Sequence, residues 1–158
     1  MYPDCDEILK MAPDYDIIPV CREIYADVIT PITLLRKLAA VSKRYYLLES
    51  VEGGEKWGRY SFLGFDPVMR VKCSCGKVTI EKDGEETEKV TDKPLEVLRE
   101  ILKDYKAPRL AGLPPFAGGF VGYFAYAMIG YAEPKLKIKK GTFNDYDMML
   151  FDKVIAYD

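Results

Sequence analysis

The sequence contains no histidine. That absence removes the commonest general base, the Ser-His and Cys-His nucleophile pairs and histidine-ligated zinc. Cysteine is scarce too: Cys5, Cys21, Cys73 and Cys75 do not form paired CxxC knuckles. Cys73 and Cys75 fall within VMRVKCSCGKVTI, which reads as one strand, so alternation would place both on one face as buried, reduced thiols. No apolar run reaches the roughly 18 residues of a membrane-spanning helix. The amino terminus, MYPDCDEILKMA, lacks the basic and apolar regions of a secretory signal, so a cytoplasmic protein is expected. Neither sign of charge is in large excess, since 23 Lys+Arg against 25 Asp+Glu gives a net −2, which excludes a dominant electrostatic grip on nucleic acid. On its own the chain is poorly equipped for catalysis.

What is present, 158 residues with 49% hydrophobic and 30% charged side chains, suffices for a globular core without disulfides or metal. Asp4 and Glu7 form a capping-box pattern that predicts a short helix over residues 4–12. Asp16 to Ala26 reads as extended chain, an edge strand or irregular because of Pro19. Thr30-Pro31 opens a helix running to about Ser42, with Ile32, Leu35, Leu38 and Ala39 at helical spacing. Strands are expected over Tyr45 to Leu48 and Gly58 to Phe65. A meander follows over Val68 to Ser74, Lys77 to Lys82 and Glu86 to Val90, with Asp83-Gly84 as a type I′ turn. An amphipathic helix covers Pro94 to Tyr105, a loop rich in Pro and Gly spans residues 106–118, and strands follow at Gly118 to Tyr126 and Phe151 to Tyr157. Hairpin signals outnumber βαβ spacing, so the fold class is α+β with largely antiparallel sheet. The last strand carries no turn or cap after Asp158, which suggests a fragment of a longer protein.

Four groups invite a functional reading. Glu49 and Ser50 follow an apolar strand and precede Gly53-Gly54, beside the aromatics Tyr45, Tyr46, Trp57 and Tyr60. An anion and a hydroxyl beside aromatic walls suit the ammonium and the apolar side chain of a small ligand. A plain strand end and turn is the more ordinary account. The glycines Gly53-Gly54 and Gly118-Gly119-Phe-Val-Gly122 lack phosphate-loop spacing and more often mark bulges or close backbone approach. Asp145, Asp147, Asp152 and Asp158 lack calcium-loop spacing and read better as turn residues flanking a strand, while Lys135, Lys137, Lys139 and Lys140 read as a solvated face.

Three blocks carry a resemblance. LLESVEGGEKWGRYSFLGFDP (Leu47 to Pro67), PPFAGGFVGYFAYAMIGYAEP (Pro114 to Pro134) and FNDYDMMLFDKVIAYD (Phe143 to Asp158) stand in the order and spacing of the amino-terminal region of anthranilate synthase component I, which the chain resembles from about Pro19 onward. The resemblance implies that residues 1–158 form the amino-terminal domain of an enzyme converting chorismate to anthranilate and pyruvate, with ammonia supplied by a separate glutamine amidotransferase subunit. It implies that Mg²⁺, chorismate and the catalytic groups belong to a carboxy-terminal half absent here, so that this segment alone is inactive. It also implies a contribution to a feedback site for L-tryptophan, through Ser50 with Glu49 and Leu48 beside it, and Tyr60 on the same pocket. The implied fold is a two-sheet sandwich with outer helices. Ala127 departs from the acidic residue that members commonly carry after the GYxxY run. The related aminodeoxychorismate synthase component I and a stand-alone ligand-binding domain remain as alternatives.

Overall fold

The computed structural model describes residues 1–49, 59–136, 138 and 141–158. Helix α1 (Cys5–Met11) begins as its sequence dictates: the Glu7 N–H donates to Asp4 Oδ1 at 2.9 Å and the Asp4 N–H donates to Glu7 Oε2 at 3.0 Å. Residues 16–26 are irregular apart from a bridge between Tyr2 and Cys21. Helix α2 (Pro31–Val41) starts at the Thr30 cap, whose hydroxyl accepts from the Thr33 N–H at 3.2 Å.

Two antiparallel sheets follow. The first has three strands in the order β1 (Tyr45–Leu48), β2 (Ser61–Phe65) and β8 (Val154–Tyr157). Helix α2 packs on β1 and β2. The second has five strands in the order β5 (Glu85–Val90), β4 (Lys77–Lys82), β3 (Met69–Ser74), β7 (Tyr146–Phe151) and β6 (Gly119–Phe124). Its inner face alternates cleanly: Met69, Val71 and Cys73 on β3 and Tyr146, Met148 and Leu150 on β7 are buried. Helix α3 (Pro94–Lys103) covers that face with Val97 and Leu98, and the buried Tyr146 hydroxyl donates to the Pro94 carbonyl at 3.0 Å. After β6 the chain makes a 3₁₀ turn (Tyr126–Met128) and a short helix, α4 (Ile129–Ala132).

The α+β antiparallel fold is therefore as expected, but two local expectations need correction. The stretch Phe151 to Tyr157 is not one strand. Phe151 ends β7 in the five-stranded sheet, and after Asp152-Lys153 the chain enters β8 in the three-stranded sheet. An apolar run passing from one buried layer to another keeps the same composition, so periodicity alone does not reveal the break. Likewise Cys73 and Cys75 do not share a strand face. Cys75 (φ 54°) and Gly76 (φ 79°) form a two-residue hairpin turn between β3 and β4, leaving Cys73 buried and Cys75 exposed. Asp83 (φ 54°) and Gly84 (φ 83°) make the equivalent turn between β4 and β5 that their sequence forecasts.

Candidate ligand site at the end of strand β1

Leu48 is the last residue of β1 and stands opposite Phe62 of β2, so both side chains lie on one face of the three-stranded sheet. Tyr60, two residues before Phe62, extends this face, with its ring 5.9 Å from that of Phe62. Tyr46, two residues before Leu48, continues it in the other direction. Phe116, from the loop before β6, lies edge-on to both Phe62 (5.7 Å) and Tyr46 (6.5 Å), and Phe151 of the other sheet lies edge-on to Tyr46 at 4.7 Å. A row of aromatic rings thus backs the position of Leu48, which is itself half-exposed, while Glu49 at the strand end is exposed. Leu48 and Tyr60, backed by these rings, offer an apolar face that a flat apolar group can cover, and the exposed Glu49 supplies a carboxylate at the strand end.

The structure brings together Leu48, Tyr60 and Tyr46 of the residues singled out by sequence. Ser50, Trp57 and the Gly53-Gly54 pair lie outside the described residues. Tyr45 does not join the aromatic wall, because strand alternation turns it to the opposite face from Tyr46. Phe62 and Phe116 were the members that sequence reasoning missed. Phe62 carried a usable signal, since it sits two residues from Tyr60 in the same strand pattern, whereas Phe116 arrives from a distant loop. Beside the site, the Arg59 guanidinium lies over the Tyr60 ring at 5.3 Å and pairs with Asp158, whose carboxyl is held below its ordinary range by that hydrogen-bonded contact.

The acidic residues near the chain end serve the fold. Asp145 Oδ2 accepts from the Cys75 N–H at 2.7 Å and from the Tyr131 hydroxyl at 2.7 Å. Asp147 is inside β7 rather than in a turn, and takes two hydrogen bonds from Arg70, at 2.8 and 2.6 Å. Asp158 is held by Arg59, and Asp152 lies 3.5 Å from Lys153. No group of three or more potential metal ligands is found among the described residues. Gly118 and Gly122 of GGFVG mark close backbone approach, one of the two readings their pattern suggested. A Cβ at Gly118 would lie 2.9 Å from the Phe151 carbonyl oxygen, and one at Gly122 2.0 Å from that of Asp147. Of the lysine run, Lys135 is exposed, and Lys137, Lys139 and Lys140 lie outside the described residues.

No family model matches the sequence. Anthranilate synthase component 1 of Acetivibrio thermocellus is 42% identical over 160 residues, covering 99% of this chain and 32% of that protein. The chain belongs to the anthranilate synthase component I family. The component 1 of Pseudomonas aeruginosa is 39% identical over 97% of the chain, and that of Aquifex aeolicus 35% identical over 97%. The crystal structure of anthranilate synthase component I from Streptococcus pneumoniae TIGR4 superposes with a TM-score of 0.51 at 26% identity, covering 88% of this chain and 29% of that one. The chain spans about a third of the length of the curated relatives it matches, and its fit is to their amino-terminal region. No helix among the described residues is long and apolar enough to cross a membrane.

Proposed function

We propose that this chain is the tryptophan-sensing amino-terminal portion of an anthranilate synthase component I, whose full-length form converts chorismate, with ammonia or glutamine, to anthranilate and pyruvate. The observation that carries the reading is the 42% identity maintained over 99% of the chain. Catalysis, chorismate binding and Mg²⁺ are assigned to the remainder of such an enzyme. The chain has no histidine, and Asp145 and Asp147 are committed to hydrogen bonds and an ion pair, which supports reading this segment as inactive alone. Ammonia from glutamine is delivered by a separate amidotransferase subunit.

The ligand site at the end of β1 fits L-tryptophan by its chemistry. The indole lies against Leu48 and Tyr60 over the Phe62–Phe116 aromatic row, and the ammonium is held by Glu49 and the Ser50 hydroxyl. Feedback then requires tryptophan to bind a less active arrangement of the whole enzyme more tightly than the active one. The aminodeoxychorismate branch is distinguished by the product of the complete enzyme.

Thermal unfolding of the 158-residue chain with L-tryptophan, and with L-phenylalanine as control, tests the site. At about 100 times Kd, binding adds roughly 2.7 kcal/mol, a rise in Tm of about 5–10 °C. Ser50→Ala is expected to abolish most of that rise while leaving the ligand-free Tm unchanged. Equal shifts with both amino acids, or a full tryptophan shift in the Ser50 variant, would refute the assignment.

A further inference from the structure

The two outer strands of the five-stranded sheet are unlike each other. Strand β5, EETEKV, is exposed along its whole length and carries four charged residues, the usual protection of a free edge. Strand β6, GFVGYF, is the opposite edge among the described residues and has no charge and no proline. The Ala125 N–H donates to the Asp145 carbonyl at 2.8 Å, which sets the antiparallel alternation. Residues 119, 121 and 123 then turn their backbone groups toward β7, while Phe120, Gly122 and Phe124 turn theirs to the open side.

Exposed aromatic surface adjoins this bare edge. Tyr123 is 42% exposed, Phe124 52%, Tyr126 80% and Phe143 75%. Tyr123, Ala125, Tyr126 and Phe143 line an almost wholly apolar concavity of about 310 Å³. An unprotected edge beside clustered exposed aromatic rings is the signature of a surface that is covered in the working molecule. The relatives are about three times the length of this chain, so each carries a large further body of polypeptide in cis.

We infer that the β6 edge and the Tyr123–Tyr126–Phe143 concavity are the seat of the remaining two-thirds of a component I polypeptide. That remainder adds a strand to β6 and inserts an apolar side chain into the concavity. The inference rests on the reading of the chain as a component I segment. It also links the seat to the ligand site: Phe116 precedes β6 in the same loop-strand unit and touches Phe62, opposite Leu48.

The test is a chimera joining this chain to the remaining two-thirds of the Acetivibrio thermocellus relative, compared with the 158-residue chain by amide hydrogen exchange. The amides of Phe120, Gly122 and Phe124 are expected to exchange rapidly in the chain alone and to be slowed by about 100-fold or more in the chimera. Tyr126→Asp, at an exposed position, is expected to leave the Tm of the chain unchanged and to lower that of the chimera. A chimera that makes anthranilate while these amides exchange as fast as in the chain alone would overturn the inference and leave the component I reading standing. Concentration-dependent protection of β6 in the chain alone, absent from the chimera, would assign the edge to a second copy and overturn it also. A chimera with neither anthranilate formation nor protection would count against the component I reading itself, and the inference would fall with it.

Discussion

At the scale of single residues, the aromatic row behind the ligand site depends on one glycine. The Tyr46 ring lies across Gly64, where a Cβ would sit 2.2 Å from the ring carbon Cε1, and Phe116 and Phe151 hold the ring edge-on. Gly64→Ala therefore has no cheap relaxation and should cost about 1–3 kcal/mol, measurable as a lower midpoint in urea. The Tyr46 hydroxyl is buried with no hydrogen-bond partner among the described residues, and burial pushes its pKa from 10.0 up to about 12. Tyr46→Phe should raise stability by about 1 kcal/mol, or roughly 2–4 °C in Tm. Burial also raises Tyr131 and Tyr146. The folded protein keeps these protons to higher pH than the unfolded chain does. Stability present below about pH 10 should therefore fall as pH rises through 10 to 12, and less steeply in the Tyr46→Phe variant. The pairing of Tyr46 with Gly64 was beyond sequence reading, because it depends on a cross-strand register that only the folded sheet defines.

At the scale of elements, what local chemistry decides was legible and what tertiary contact decides was not. Both amino-terminal helices begin at the side-chain caps their sequences carry, Asp4 with Glu7 and Thr30 before Pro31. The Asp83-Gly84 turn was readable from its dipeptide, whereas Cys75-Gly76 was not, because cysteine seldom takes positive φ. What fixes that second turn is Asp145, 70 residues along the chain, which accepts the Cys75 N–H and the Tyr131 hydroxyl together. Asp145→Ala should thus destabilise the protein by about 2 kcal/mol, although Asp145 reads in sequence as an ordinary turn residue. In thermal unfolding this appears as a drop of several degrees, and an unchanged Tm would mean the turn holds itself.

At the scale of the whole molecule, the two sheets meet where β7 hands over to β8, with the buried Phe151 packed against Tyr46 of β1. The fold class was readable because hairpin signals are local. The two sheets were expected only through the family resemblance, and the point where the chain crosses between them was not readable, because Phe151 to Tyr157 is apolar on both sides of Asp152-Lys153. The candidate ligand site was half legible: Leu48, Glu49 and Tyr60 stand in one motif, but Phe116 reaches the neighbouring Phe62 and Tyr46 from the loop that leads into β6. The same loop-strand unit therefore joins the candidate ligand site to the β6 edge proposed as the seat of the remaining polypeptide. Under the proposed function, this arrangement would couple tryptophan binding to the remainder of the enzyme. The most direct measurement is anthranilate formation by the chimera, from chorismate and ammonia with Mg²⁺, with and without L-tryptophan. The account predicts that the chimera forms anthranilate and that L-tryptophan inhibits it while L-phenylalanine does not. A well-folded chimera that forms no anthranilate, or one that L-tryptophan leaves uninhibited, would contradict it.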